Sequence, residues 1–365
     1  MIVVVKIGTS SITDARGDID DAAVGKLCHE VAALRGSGHR VVIVSSGAIA
    51  AGLPALGFHG EAERPRDAVT LQAVSAVGQT RLMRVYEAAL ATHGLVAGQV
   101  LLVPNDFIVR QQYLHARGTL ERLLELGVVP VVNENDAIAD DEIRFGDNDR
   151  LAALVGHLVS ADLLVLLTDA PGLLTADPRL DSSASLIEEI LEVDQSLEAV
   201  AGGSGTARGS GGMASKLAAA KIAAWSGVKA VIAQATRDGV LQDAVVGAPG
   251  AGTLVHPKPR RLPARKLWIA FAVGSSGTVV VDDGARRALL ERGVSLLAAG
   301  VREAQGGFRA DDAVEIAGLD GKVFAKGLVR LDAAALRAVA GLRTGDLPDG
   351  VPHEVVHRDD LVVLP

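Results

Sequence analysis

An α/β fold is predicted for most of this 365-residue chain: a mainly parallel open sheet between helix layers, followed by a small, mostly-β unit. Three observations predict it. Apolar, β-branched runs alternate with helical stretches up to about Leu254, each run ends in small and polar residues, and beyond Gly274 short runs bounded by Gly or Asp take over. In a parallel sheet the carboxyl ends of the strands share one edge, which is where ligands bind. The polar strand ends are therefore expected to converge there.

The first run, IVVVKIGTSS (Ile2 to Ser11), reads as a strand that breaks at Gly8, with Lys6 inside an otherwise apolar stretch. Such a lysine is costly to bury unless its ammonium reaches an anion; the alternative is an edge strand with the lysine in solvent. A helix is expected over Asp20 to Leu34. The next strand, Arg40 to Val44, runs into SSGAIAAG, where Ser46 offers a hydroxyl and Gly47 lets the backbone approach a ligand. Helices are expected at Ala68 to Ala91 and Gln112 to Leu126. Then VVPVVNENDAI (Val128 to Ile138) delivers Asn133, Glu134, Asn135 and Asp136 past its apolar part. In FGDNDRLAALVGHL, any of Asp147, Asn148 and Asp149 can cap the helix that begins there. The strand LLVLLTDAPGL (Leu163 to Leu173) ends in Thr168 and Asp169.

GSGGMASK, from Gly209 to Lys216, precedes a breaker-free helical run expected from Leu217 to Trp225. Glycine-rich backbone N–H groups, the positive end of a helix and the Lys216 charge together make a phosphate cradle; the alternative is a mobile loop with a helix cap. It is not a Walker A loop, because Lys216 follows Ser215 and precedes Leu217. Residues 1–255 are expected to form the first domain, 256–273 a Pro-rich and charged linker, and 274–365 the second. Lys266 to Val273, KLWIAFAV, reads as a strand.

The ordered set VKIGTSS, VSSGAIAAG, NENDAI, GDNDRLAALV, LLTDAPGLLTADPR and GSGGMASK closely resembles the glutamate 5-kinases of the amino acid kinase family, whose C-terminal segment is a PUA domain. Ser210 and Ser215 stand where relatives often carry Thr, which keeps the hydroxyl. The resemblance implies the amino acid kinase fold, ATP as co-substrate with Mg2+, and transfer of the γ-phosphoryl group to the side-chain carboxylate of L-glutamate, the first step of proline biosynthesis. It places Ser46, Asp136 and Asn148 on glutamate. It places Lys6, Thr168, Asp169, Ser210, Gly211, Gly212, Met213, Ala214, Ser215 and Lys216 on ATP. Lys6 and Lys216 are the catalytic lysines, and Asp149 either orients them or caps its helix. The resemblance also implies feedback inhibition by proline and a homo-oligomer, dimer or tetramer. Other amino acid kinases, acting on acetylglutamate, aspartate or a nucleoside monophosphate, fit less well because NEND is followed by GDND and a PUA-like tail.

Composition restricts the remaining classes. The net charge of −8 gives no general attraction to nucleic acid or an anionic membrane. From Gly274 to Pro365 there are 11 Lys and Arg against 14 Asp and Glu, with only Phe308 and Phe324 as aromatic rings, so RNA binding is disfavoured for the second domain. The lone Cys28 excludes an internal disulfide and is expected to fill core. No run approaches the ~18 apolar residues of a membrane span, and no cleavable leader is recognised, so a cytoplasmic protein is expected. No zinc-type ligand spacing occurs, and no protein-bound metal site is expected.

Overall fold

The computed structural model describes the chain except residues 15, 61–62, 104, 139–147, 178–180, 182, 203–211, 260 and 365. Its contacts divide it into two compact units, Met1–Arg261 and Leu262–Pro365.

In the first unit the strands are β1 (Ile2–Ile7), β2 (Arg40–Ser45), β3 (Ala97–Leu102), β4 (Val129–Glu134), β5 (Leu163–Thr168), β6 (Glu189–Ile190), β7 (Lys229–Gln234) and β8 (Thr253–Val255). They form one sheet in the order β3-β4-β2-β1-β5-β7-β8-β6. Every neighbouring pair is parallel except β7 with β8. The chain moves from β1 out to β2, β3 and β4, then returns to β5 on the other side of β1. That reversal puts the usual ligand position of an open α/β sheet at the carboxyl ends of β1, β2, β4 and β5.

The helices of this unit are α1 (Asp21–Gly36), α2 (Ala48–Gly52), α3 (Ala68–Ala91), α4 (Asn105–Ile108), α5 (Arg110–Glu125), α6 (Asn148–Leu158), α7 (Gln195–Gly202), α8 (Met213–Trp225) and α9 (Val240–Val246). Strand alternation decides which layer each side chain meets. Val3, Val5 and Ile7 join Val41, Ile43, Val129, Val131, Leu163 and Val165 in a core closed by Val24, Cys28 and Val31 of α1, by Leu82, Tyr86 and Leu90 of α3 and by Leu241 of α9. The alternate residues, Val4 and Lys6 among them, face the opposite layer, where α6 packs on β1 and on α8. Cys28 is fully buried, and burial pushes its thiol up to about 12, so it packs as a small apolar group.

Two glycines set how closely α2 is packed. Gly47 caps α2 with φ of 101°, and a Cβ there would lie 2.9 Å from Ile12 Cδ1. A Cβ on Gly78 would fall 1.7 Å from the Ala48 carbonyl oxygen, so the two helices touch through bare backbone.

The second unit contains α10 (Ala264–Leu267), α11 (Asp283–Arg292), α12 (Ala333–Val339) and the strands β9 (Gly277–Val281), β10 (Leu296–Leu297), β11 (Val301–Gly306), β12 (Ala313–Ala317), β13 (Val323–Val329) and β14 (Glu354–Val363). The strands form one sheet in the order β10-β14-β13-β12-β9-β11, so the unit is mostly β with short helices between its strands. Lys266–Val273, expected as a strand, is helical instead. Leu267 N–H bonds the Pro263 carbonyl at 3.0 Å, a π-helical turn covers Trp268–Ala272, and both segments pack on β13 or β14. A run that is apolar at nearly every position fits either period, and packing on a sheet face settled it.

Candidate active site

Lys6 is the last inward-alternating residue of β1 toward α6. Its Nζ lies 2.5 Å from Asp149 Oδ1, and Lys216 Nζ lies 3.2 Å from Asp149 Oδ2. All three are buried, at 3%, 0% and 5% exposure, so two ammonium groups share one carboxylate almost out of water. Burial pushes the Asp149 carboxyl up, but the charges of Lys6 and Lys216 and their hydrogen bonds outweigh it and hold the group below the ordinary carboxylate value. Ser215 Oγ donates to Asp149 Oδ2 at 3.0 Å.

Lys216 and Ser215 reach Asp149 because α8 starts at Met213, four residues before the start expected from sequence. Gly212 is its N-cap, in extended conformation, and Met, Ala, Ser and Lys contain no breaker, so the first turn absorbs the end of the glycine-rich run. The helix start therefore presents Gly212, Met213 and Ala214, whose neighbourhood holds the unbonded N–H groups of any helix N-terminus. Ser210 and Gly211 lie outside the described residues.

A second constellation consists of amides. Asn148 opens α6 beside Asp149, and its Nδ2 donates to the Ser45 carbonyl at 2.7 Å, to Asn133 Oδ1 at 2.6 Å and to Ser46 Oγ at 3.2 Å. Asn133 Nδ2 donates to Gln79 Oε1 at 2.8 Å, and Asn133 Oδ1 also accepts the Glu134 N–H at 2.9 Å. Below them Ser45 Oγ and Tyr86 OH are 2.8 Å apart. Burial drives the Tyr86 phenol up, so it stays protonated as a hydrogen-bonding group. Ser46 N–H bonds the Ile7 carbonyl at 3.2 Å, tying the ends of β1 and β2 together. Asp136 sits half-buried in the turn after β4.

Thr168 closes β5, buried, with its hydroxyl donating to Asp169 Oδ1 at 3.0 Å. The pair is anchored from the next strand: the Ala235 N–H bonds the Thr168 carbonyl at 2.7 Å and Gln234 Nε2 the Asp169 carbonyl at 3.2 Å. The structure thus brings Lys6, Asp149, Ser215 and Lys216 together, and Ser46 with Asn148, all at the carboxyl edge of the sheet. Gln79 and Tyr86 were not singled out from sequence. Their signal is a polar group at positions of α3 whose helical spacing matches the apolar face carrying Val74, Leu82 and Leu90.

Comparison with known proteins fits this geometry. Residues 1–234 match the amino acid kinase family, and residues 277–349 match the PUA domain. The glutamate 5-kinase of Pelobacter propionicus is 44% identical over 366 residues, covering 99% of this chain and 97% of that protein. That of Frankia casuarinae is 48% identical over 369 residues, covering 99% and 96%. Among solved structures, the isopentenyl phosphate kinase of T. acidophilum in its product complex superposes with a TM-score of 0.51 over 70% of this chain and 100% of that one. At 18% identity that likeness concerns the fold alone. The chain therefore belongs to the amino acid kinase family, and its full-length relatives are glutamate 5-kinases.

Proposed function

We propose that this chain is a glutamate 5-kinase, transferring the γ-phosphoryl group of ATP to the side-chain carboxylate of L-glutamate as the first step of proline biosynthesis. The observation that carries the reading is the buried Lys6–Asp149–Lys216 cluster at the carboxyl edge of the sheet, in a chain whose full-length relatives bear that name.

The chemistry follows from charge. A glutamate side chain has an ordinary pKa of about 4.3, so at neutral pH the attacking oxygen is already ionised and no general base is needed. A carboxylate oxygen bonds to the γ-phosphorus while the bond from that phosphorus to the β–γ bridging oxygen breaks, and ADP leaves with the electron pair. Two anions must meet, and negative charge spreads over the transferring oxygens. Lys6 and Lys216 neutralise it, and Asp149 holds both ammonium groups in place. Thr168, Asp169 and the start of α8 receive the nucleotide; Ser46, Asp136 and Asn148 receive the amino acid.

Mg2+ enters this reading with the nucleotide, as part of the co-substrate. Both Asp149 oxygens face ammonium groups, and among the described residues no group of three or more His, Cys, Asp or Glu could hold a metal ion. Phosphate oxygens and water supply most ligands of a nucleotide-bound Mg2+. Its chemical contribution is to neutralise phosphate charge.

The test is incubation with MgATP and L-glutamate, N-acetylglutamate or aspartate, trapping acyl phosphate with hydroxylamine. Glutamate should exceed the others in kcat/KM by orders of magnitude, because polar groups built for one ligand are left unpaired by another. Comparable values for aspartate would overturn the assignment. Proline, which shares the α-carboxylate and amino nitrogen, is proposed as a feedback inhibitor competing with glutamate. Activity untouched by high proline at low glutamate would remove that part.

A further inference from the structure

We infer that Gln79, on α3 and outside the residues assigned to either substrate, is a positioning residue for the amino acid substrate: through Asn133 it holds Asn148 with its amide oxygen toward the ligand. The inference rests on the functional reading above, since it concerns how that site recognises an α-ammonium group.

The donor and acceptor atoms of the amide chain are identified by backbone groups that have one role only, and the Gln79–Asn133 bond is its outermost support. The Ser45 carbonyl can only accept, so the Asn148 atom 2.7 Å from it is the amino group. The Glu134 N–H can only donate, so the Asn133 atom 2.9 Å from it is the oxygen. That oxygen also takes the second Asn148 proton at 2.6 Å. Asn133 is left with its own amino group pointing away from the site, and it meets Gln79 Oε1 at 2.8 Å.

Gln79 is only 8% exposed, and among the described residues its Nε2 is buried with no hydrogen-bond partner. Turning the Gln79 amide over would set two amino groups against each other at the Asn133 contact. The observed orientation leaves a donor unsatisfied instead, and the Asn133 contact is what holds it there. With both Asn148 protons committed to Ser45, Ser46 and Asn133, the amide atom it has left for a ligand is Oδ1. An acceptor at that point pairs with a cationic amine and repels a carboxylate, so the chemistry read is the substrate ammonium.

The experiment compares L-glutamate with glutarate, the same dicarboxylate lacking the amine, in the full chain and in Gln79→Met and Gln79→Glu. Gln79→Met keeps the volume and removes the acceptor. It should raise the glutamate KM tenfold or more, leave kcat and the ATP KM within threefold, and shrink the glutamate-over-glutarate preference in kcat/KM at least tenfold. Gln79→Glu keeps an oxygen opposite Asn133 Nδ2 and should retain most of the preference.

A packing role for Gln79 would depress both acceptors equally, and that result overturns the inference. So does an unchanged preference, or a Gln79→Glu variant no better than Gln79→Met. Should Gln79→Met fail to fold, Asn133→Ser breaks the same bond from the other side and carries the same expectation, with an unchanged preference again overturning it. A wild-type chain inert toward glutamate overturns the functional reading and this inference together; an active wild type with an unaffected Gln79→Met overturns this inference alone.

Discussion

Asp149 has its two carboxylate oxygens on two different ammonium groups, and neither lysine has a competing claim from bulk water. Removing one lysine takes away charge that opposes the growing negative charge of the transferring group. Lys6→Ala and Lys216→Ala should therefore each lower kcat on the order of 10² to 10³ while changing the glutamate KM far less, as steady-state kinetics of the folded variants will show. Asp149→Asn acts differently, because it neutralises the buried carboxylate that Lys6 and Lys216 share. Breaking a buried ion pair from one side costs about 3–5 kcal/mol, so urea unfolding at neutral pH should show a loss of that size. The pH dependence has a definite sign. The folded carboxyl titrates below its ordinary value of 3.8, so its contribution is complete above that value and is lost as pH falls further. Acid unfolding below about pH 4 should be shallower in Asp149→Asn than in the wild type.

At the scale of elements, α6 joins the site to the core. Its first residues, Asn148 and Asp149, make the site, while its last turn carries His157. Burial, then the charges of Arg261 and Arg117, pull the His157 imidazole down from 6.5 to about 4. The folded protein thus keeps it neutral where the unfolded chain takes up a proton. Stability should fall as pH drops from about 6.5 to 4, by about 3 kcal/mol at most, and be flat in this respect above that window. Urea midpoints at intervals from pH 7.5 to 4.5 should slope in the wild type and lose most of that slope in His157→Gln. The window lies above the one in which Asp149 titrates, so the two effects separate.

The elements also show what was legible in the sequence. Helix α3 runs from Ala68 to Ala91 as expected, because Asp67 caps it and no breaker interrupts it; the Asp67 carboxylate accepts the Thr70 N–H at 2.8 Å. Strands β1, β2 and β4 were legible from their β-branched runs and β5 from its short, continuous apolar run. Helix α8 begins early because the glycines of GSGGMASK masked four good helix positions behind them. Helix α11 was missed where DDGARRALLER follows a strand without a long spacer, although Asp282 caps it. The meeting of Lys6 with Asp149, residues 143 positions apart in the chain, rested on family resemblance, since local patterns carry no tertiary distance. Gln79 escaped because a glutamine on an apolar helix face looks like any boundary residue until its partner on another strand is seen.

Across the whole molecule, every residue assigned to chemistry or binding lies between Lys6 and Lys216, inside the unit Met1–Arg261. The second unit has a core of its own, with Val279, Phe308, Val314, Ile316, Leu336 and Val355 buried together. Units with separate cores are expected to fold separately. A chain ending at Arg261 should therefore fold and phosphorylate glutamate with a kcat within a few-fold of the full chain. The place of the cut matters, because α10 and the π-helical turn after it pack on β13 and β14 of the second unit. Ending the chain after Val273 would strip the sheet from Leu267, Trp268 and Ile269, all at most 5% exposed. Each such side chain loses about 1.5–3 kcal/mol of burial, leaving an apolar stub that promotes association. The 1–273 chain should match 1–261 in turnover yet aggregate at lower concentration, as light scattering alongside the hydroxylamine assay will measure. Loss of turnover in both chains, with each folded and binding ATP, would mean that the second unit takes part in catalysis and that the site is not complete within residues 1–261.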